Sequence, residues 1–314
     1  MSLTRFAKFA WATLAVNLVV VLWGAFVRAT GSGAGCGAHW PVCNGQVIPQ
    51  APAIATVIEY THRLSSGVAL LFVLIMFLWA FRAYPRRSLV RRGAALSMFF
   101  IVTEALVGAG LVLFRWVAGD DSVARVYSMS VHLINTFLLL AAIALTAYWA
   151  SGGSAVRIRR QGPAAWLALV GLLAMVFLGV SGAIIALGDT LVLTIGLTPE
   201  QSPLVAQLVS LRIYHPLIAI SVSLYLLLMA RLLANLRPSA RTQRLSLAVI
   251  LLCVVQLLAG VVNVALQAPV WMQLIHLLTA DLLWLAVVLL SASSLAVDAP
   301  RAEQIRWKQV FSLG

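Results

Sequence analysis

Glu59-Tyr60-Thr61-His62-Arg63 stands near the head of an unbroken apolar run, Ala55–Phe81, and packs three ionisable residues into about one helical turn. A run of that length reads as a helix crossing a bilayer. Ionisable groups inside such a helix are rare and cost free energy, so this turn is a functional candidate from the outset.

The rest of the chain has the same character. Its 314 residues are 62% hydrophobic and only 10% charged, whereas soluble domains carry roughly a quarter of charged residues. Runs of spanning length fall at Phe9–Val27, Ala55–Phe81, Ala94–Phe114, Val131–Ala150, Pro163–Leu187, Ile213–Leu236, Leu245–Leu266 and Val270–Ser291. The first lacks a small-residue cleavage site and is too long for a signal peptide, so it reads as a retained span. The expected fold is an all-α membrane protein with eight transmembrane helices.

A net charge of +13 would suit a nucleic-acid partner if the basic residues were spread over one surface. They sit instead in short clusters between apolar runs, as loops facing anionic lipid and the cytoplasm do. The clusters are Arg5 and Lys8; Arg82, Arg86, Arg87, Arg91 and Arg92; Arg157, Arg159 and Arg160; Arg231, Arg237, Arg241 and Arg244; and Arg301, Arg306 and Lys308. Seventeen of the 22 Lys and Arg residues thus fall on one side, which predicts cytoplasmic termini in a cell (inner) membrane. Arg28, Arg63, Arg115, Arg125 and Arg212 break the trend at outer helix ends.

Between the first two spans runs an outer loop with Cys36-Gly-Ala-His39-Trp40-Pro41-Val-Cys43. Two cysteines in an oxidising compartment suggest a disulfide. A redox-active pair is the alternative, although the spacing is not Cys-x-x-Cys. Cys253, inside the seventh span, reads as core packing.

The second half of the chain repeats the first. Thr103-Glu104-Ala-Leu-Val-Gly108 matches Val255-Gln256-Leu-Leu-Ala-Gly260, His132-Leu-Ile matches His276-Leu-Leu, and His62 aligns with His215. A duplicated unit of four helices predicts two pseudo-symmetric four-helix bundles, residues 1–152 and 153–314, related by an axis along the membrane normal.

Four of the five histidines, His62, His132, His215 and His276, then fall singly in the even-numbered spans, near their outer ends. One membrane histidine is commonly a hydrogen-bonded packing residue; four at one depth, two per half, suit two sites of two imidazoles each. Zinc or copper normally takes three or four ligands, and the second half offers no Cys, Asp or Glu beside its histidines. Haem iron needs one or two axial ligands and an apolar slot between helices, so haem is the better match. Propionates at the outer face would meet Arg28, Arg63, Arg125 or Arg212; interfacial snorkelling is the competing role for each.

The halves differ in one respect that matters. Aligning His62 with His215 sets Glu59 opposite Arg212 and Arg63 opposite Pro216, so only the first half carries a carboxylate in this turn. A carboxylate in such surroundings suits proton acceptance or relay. Glu104 and its counterpart Gln256 share an expected role as interhelical hydrogen-bonding residues. Asp281 is left without an assigned role; one polar contact to a neighbouring helix would account for it.

Together, Arg28-x-Thr30-Gly31-Ser32-Gly33, Trp40-Pro41 flanked by Cys36 and Cys43, Glu59-x-x-His62-Arg63, and the single histidines of the later even spans resemble the haem A synthase family over nearly the whole chain. The resemblance implies an oxidoreductase in which the substrate haem O lies between His62 and His132 and a haem b between His215 and His276. It implies oxidation of the methyl at ring position 8 to formyl, by successive hydroxylations and loss of water, for terminal oxidase assembly. Glu59 matches the family's functional glutamate and Cys36 with Cys43 its outer-loop cysteine pair; the second half has no matching pair. The implied site is catalytic Glu59, His62 and His132, with haem iron held by the four histidines and Arg28, Arg63 and Arg212 on the cofactors. Expected partners are haem O, membrane lipid, a haem O synthase, an electron donor and further copies of the chain. Two other classes compete: a di-haem cytochrome b that only passes electrons, and a transporter, which duplicated halves often signify.

Overall fold

The computed structural model describes residues 3–157 and 161–296; Arg159, Arg160, Arg301, Arg306 and Lys308 of the charge pattern lie outside them. The helices among the described residues are α1 (Arg5–Ala29), α2 (Ile54–Ala83), α3 (Leu89–Leu113), α4 (Val123–Ala150), α5 (Pro163–Asp189), α6 (Pro203–Leu211), α7 (Tyr214–Leu236), α8 (Ala240–Ala265) and α9 (Val270–Ser294). Five of them start on a side-chain cap: Thr4, Ser88, Ser122, Ser202 and Ser239 accept from backbone N–H groups of the first turns of α1, α3, α4, α6 and α8. Pro163 and Pro203 open α5 and α6, where a missing N–H costs nothing.

A π turn, Thr190–Thr194, extends α5, and α6 leads into α7, so the helices make eight spans long and apolar enough to cross a membrane. The chain is a multi-pass, all-α membrane protein, since lipid admits only backbone whose polar groups are paired internally. The sixth span departs from its expected limits. It begins at Pro203, and most of the stretch expected as a loop, Gly188–Ser210, is helical. Its break at Arg212–Ile213 follows from Pro216, which lacks the N–H that would bond to the carbonyl of Arg212 and crowds that carbonyl with its ring.

Packing is between sequence neighbours and then around. α1 packs on α2 and α4, α2 on α3, and α3 on α4; α5 packs on α7 and α9, α7 on α8, and α8 on α9. Each set of four spans therefore closes a ring, and α4 and α9 meet between the rings. Half of the apolar window of α4 and of α9 is buried, against 17–33% for the other spans, which makes these two the central helices. They are joined by Phe137 and Trp284, whose rings stack at 4.9 Å while the indole N–H donates to the Phe137 carbonyl at 2.8 Å. Cys253 is buried in the core, as its apolar surroundings in the sequence predict.

Candidate functional site

Each of the four histidines lies on a glycine of the preceding long helix. A methyl group at Gly24 of α1 would stand 3.0 Å from His62 Cε1, at Gly182 of α5 3.1 Å from His215 Cε1, and at Gly260 of α8 3.3 Å from His276 Cε1. Gly108 of α3 faces His132 at 4.0 Å. At Gly24, Gly182 and Gly260 the imidazoles crowd the space that a Cβ would occupy, so the close approach depends on the missing side chain, whereas at Gly108 a Cβ would make ordinary contact. His62 lies within electrostatic reach of His132, and His276 within reach of His215. The described residues assemble no group of three or more His, Cys, Asp or Glu able to hold a metal ion.

The ring nitrogens are held unequally. Ser181 donates its only hydroxyl proton to the Leu178 carbonyl at 2.7 Å, so its Oγ accepts from His215 Nδ1 at 2.8 Å. That hydrogen bond fixes the tautomer and leaves Nε2 of His215 with its lone pair free. Nδ1 of His62 and of His276 are buried without a partner, whereas His276 Nε2 faces the Gln256 side-chain nitrogen at 3.3 Å. His132 Nδ1 stands 3.4 Å from Glu104 Oε1, in ion-pair range without the alignment of a hydrogen bond. Glu104 itself accepts from Asn135 Nδ2 at 2.5 Å and from the Thr136 hydroxyl, and Gln256 accepts from the Thr279 hydroxyl. Both are interhelical hydrogen-bonding residues as expected; contact with an imidazole is what the sequence reading left out.

Glu59 is part of the outer loop's anchorage. Cys36 and Cys43 form a disulfide, and both are buried. The Cys36 N–H donates to Glu59 Oε2 at 2.8 Å, and Thr56 donates to the Gly35 carbonyl at 2.7 Å. Any side chain at Gly35 would collide with the Ala55 backbone, so glycine is what lets the loop lie on the start of α2. Arg63 is paired with Glu59 at 2.5 Å. Its other terminal nitrogen donates to the His39 and Val42 carbonyls at 2.6 and 2.7 Å. At 3% exposure Glu59 would be a costly lone charge in this place, and these donors are what offset it.

Arg28, Arg125 and Arg212 also have protein partners. Arg28 crosses to the other ring, donating to the Ala186 carbonyl at 2.5 Å, Thr190 Oγ1 at 2.6 Å and Gln273 Oε1 at 3.0 Å, one turn before His276. Arg212, one turn before His215, pairs with Asp189 at 2.7 Å. Arg125 is 3% exposed and donates to the Ala118 and Asp120 carbonyls, closing the turn before α4. A guanidinium has five donors, and Nε of Arg63 and of Arg212 are buried with none of theirs used. Asp281 is fully buried, and neither of its carboxylate oxygens has a hydrogen-bond partner. Leu283, Trp284 and Leu285, just beyond it on α9, belong to the apolar core.

Residues 7–288 match the model of a family described as cytochrome oxidase assembly protein, COX15-CtaA. The chain belongs to the COX15-CtaA family. Among its relatives, a protein of Thermus thermophilus named "Protoheme IX farnesyltransferase" is 54% identical over 305 residues, covering 96% of this chain and 50% of that one. A "Heme A synthase" of Halalkalibacterium halodurans is 39% identical over 127 residues, 40% of this chain and 42% of the relative. One of Lysinibacillus sphaericus is 38% identical over 140 residues, 44% and 45% of the two chains. The chain spans about half the length of the curated relatives it matches. Family membership agrees with the resemblance carried by the outer-loop and histidine motifs.

Proposed function

We propose that this COX15-CtaA family member is a haem A synthase. Haem O is its substrate, bound in the first four-helix unit, residues 1–152, between His62 and His132. The unit of residues 153–314 holds a haem b between His215 and His276, which supplies a one-electron carrier. The reaction is a four-electron oxidation of the methyl at ring position 8: two successive hydroxylations, each inserting one oxygen atom at the expense of a two-electron oxidant such as dioxygen supplied with electrons by the donor, give a diol whose loss of water leaves the formyl group of haem A. The product serves terminal oxidase assembly.

The observation that carries this reading is the set of four imidazoles, each seated on a glycine and in electrostatic reach of one partner. Orphaned buried nitrogens on His62 and His276, the free Nε2 of His215 and the unused Nε of Arg63 and Arg212 fit a ligand that brings a metal and carboxylates. His62 and His132 hold the substrate iron, and the loop clamped by the disulfide keeps Glu59 one turn outward of His62. Glu59 handles the protons of the oxidation. Arg63 at the first site and Arg28 and Arg212 at the second orient propionates with their spare donors. The two sites face the outer side, with both termini cytoplasmic. A haem O synthase and an electron donor are the partners such a reaction needs. The prenyl-transfer name of the Thermus relative belongs to a protein of which half has no counterpart here, so it is not carried over.

A di-haem cytochrome b that only transfers electrons would also pair histidines on these helices. The test incubates purified protein with haem O and a reductant in air and separates the pigments by chromatography. Hydroxylated and formyl haems are the expected products. Their absence, while the bound haem b cycles between its redox states, would leave the electron-transfer protein as the reading.

A further inference from the structure

We propose that Glu104 is a positioning residue that holds the haem of the first site at a lower reduction potential than the haem of the second, by keeping a carboxylate against the axial imidazole of His132 where the second half keeps the neutral amide of Gln256. The inference rests on the two-haem reading above and adds to it a cause for the difference between the sites.

Four observations support it. Glu104 Oε1 stands 3.4 Å from His132 Nδ1, the ring nitrogen that does not face Gly108 as the ring's Cε1 does. On His62 the carboxylate is opposed by the guanidinium of Arg63, so His132 is the imidazole of the first pair on which Glu104 acts unopposed by an arginine. Among the described residues no carboxylate stands in ion-pair range of His215 or His276. Finally, the carboxylate is held in place: Asn135 and Thr136 donate to its two oxygens, and Asn135 is itself pinned by the Thr103 hydroxyl at 2.7 Å and the Phe100 carbonyl at 2.9 Å.

The physical effect has one sign by two routes. A carboxylate beside an imidazole N–H makes the ring a stronger donor to the metal, which favours the more oxidised iron. A negative charge close to the iron also stabilises its extra positive charge through space, and does so strongly where the dielectric is low. The second route does not depend on which ring nitrogen binds iron, which matters because Gln256 meets His276 at Nε2 and not at Nδ1. A lower potential at the substrate's own iron suits a site that must oxidise its ligand, while the second haem, with no carboxylate against its imidazoles, is the easier one to reduce.

The competing role is a plain tie between α3 and α4. Glu104→Gln separates the two: the glutamine oxygen accepts from Asn135 Nδ2, its NH2 group donates to Thr136 Oγ1 while the Thr136 proton goes to the His132 carbonyl, and the tie to α4 is kept without the charge. The experiment is a spectroelectrochemical titration of the full-length chain loaded with iron protoporphyrin IX at both sites, with haem content set by pyridine haemochromogen. Glu104→Gln is expected to change the reduction equilibrium of one haem on the order of tenfold, raising its midpoint by about 59 mV for one electron, and to leave the other midpoint alone. The reciprocal Gln256→Glu lowers the other midpoint. Unchanged midpoints in both variants at full haem content overturn the inference and leave the two-haem reading intact. Should Glu104→Gln fail to load the first site, the Gln256→Glu midpoint decides. A wild-type chain that takes up no haem overturns the functional reading, and this inference with it.

Discussion

Replacing each histidine-facing glycine by alanine gives a graded test of the haem sites. The added methyl would lie 3.0 Å from the His62 ring at Gly24, 3.1 Å from His215 at Gly182, 3.3 Å from His276 at Gly260, and 4.0 Å from His132 at Gly108. The last distance is ordinary van der Waals contact; the first three require the ring to retreat by a few tenths of an ångström. Overpacking of this kind costs about 1–3 kcal/mol, which corresponds to a loss of haem affinity of roughly 5- to 150-fold. Helix propensity works the other way, because alanine favours a helix over glycine by about 1 kcal/mol. A loss of haem therefore cannot come from a weakened helix. The assay is haem-to-protein ratio after purification, followed by dilution of the holoprotein while the Soret band is monitored. Gly182→Ala and Gly260→Ala should shed haem b, Gly24→Ala should weaken haem O binding, and Gly108→Ala should behave as wild type. Equal losses at Gly108 and Gly24, or full haem b in Gly182→Ala, would refute the idea that the imidazoles use those clefts to reach iron.

Three further outcomes can be checked on the same preparations. Glu59→Gln should retain haem b and lose at least tenfold in turnover of haem O, as removal of an acid–base group commonly does; normal formation of haem A would remove Glu59 from the chemistry. The double change Cys36→Ser with Cys43→Ser should lower thermal stability by about 2–3 kcal/mol through the freed loop while haem b stays bound, and loss of haem b would mean that the loop supports both sites. Asp281→Asn removes a buried carboxylate that has no hydrogen-bond partner, so it should not lower the unfolding free energy; a loss of the size seen for broken buried ion pairs, about 3–5 kcal/mol, would reveal a partner for Asp281.

Much of the architecture was legible because lipid allows so few solutions. Eight apolar runs became eight spans, and the histidines fell where their positions in those runs put them. The misreading of Ile213 as the start of the sixth span has a local cause: hydropathy sees Arg212 and Pro216 as an edge, whereas the chain kinks there and resumes. Contacts across the fold were not legible. Arg28 finds Gln273 at a separation of 245 residues, and no sequence pattern announces which helices the two rings bring together. The glycines were visible individually, and Gly108 and Gly260 even aligned, but a glycine declares its purpose only when the ring opposite it is known. Ser181 was missed for the same reason: a serine in a membrane helix ordinarily bonds back to its own backbone, as Ser181 does to Leu178, and its second contact to His215 comes from another helix.

The asymmetry between the halves reads differently once the partners are known. Glu59 is the carboxylate that only the first half carries in its histidine turn, and its two oxygens also accept from Arg63 and the Cys36 N–H, so the residue assigned the protons is at the same time an anchor of the outer loop. Glu104 looked like half of a matched polar pair, yet it is the carboxylate that acts on His132 unopposed by an arginine. The first half thus departs from the second by two acidic groups with separable effects. A change at Glu59 should alter proton-dependent turnover without moving a midpoint, and a change at Glu104 should move a midpoint while the outer loop stays as it is. If both variants altered both quantities, the two carboxylates would be acting as one unit, and the division of labour drawn from their hydrogen bonds would have to be abandoned.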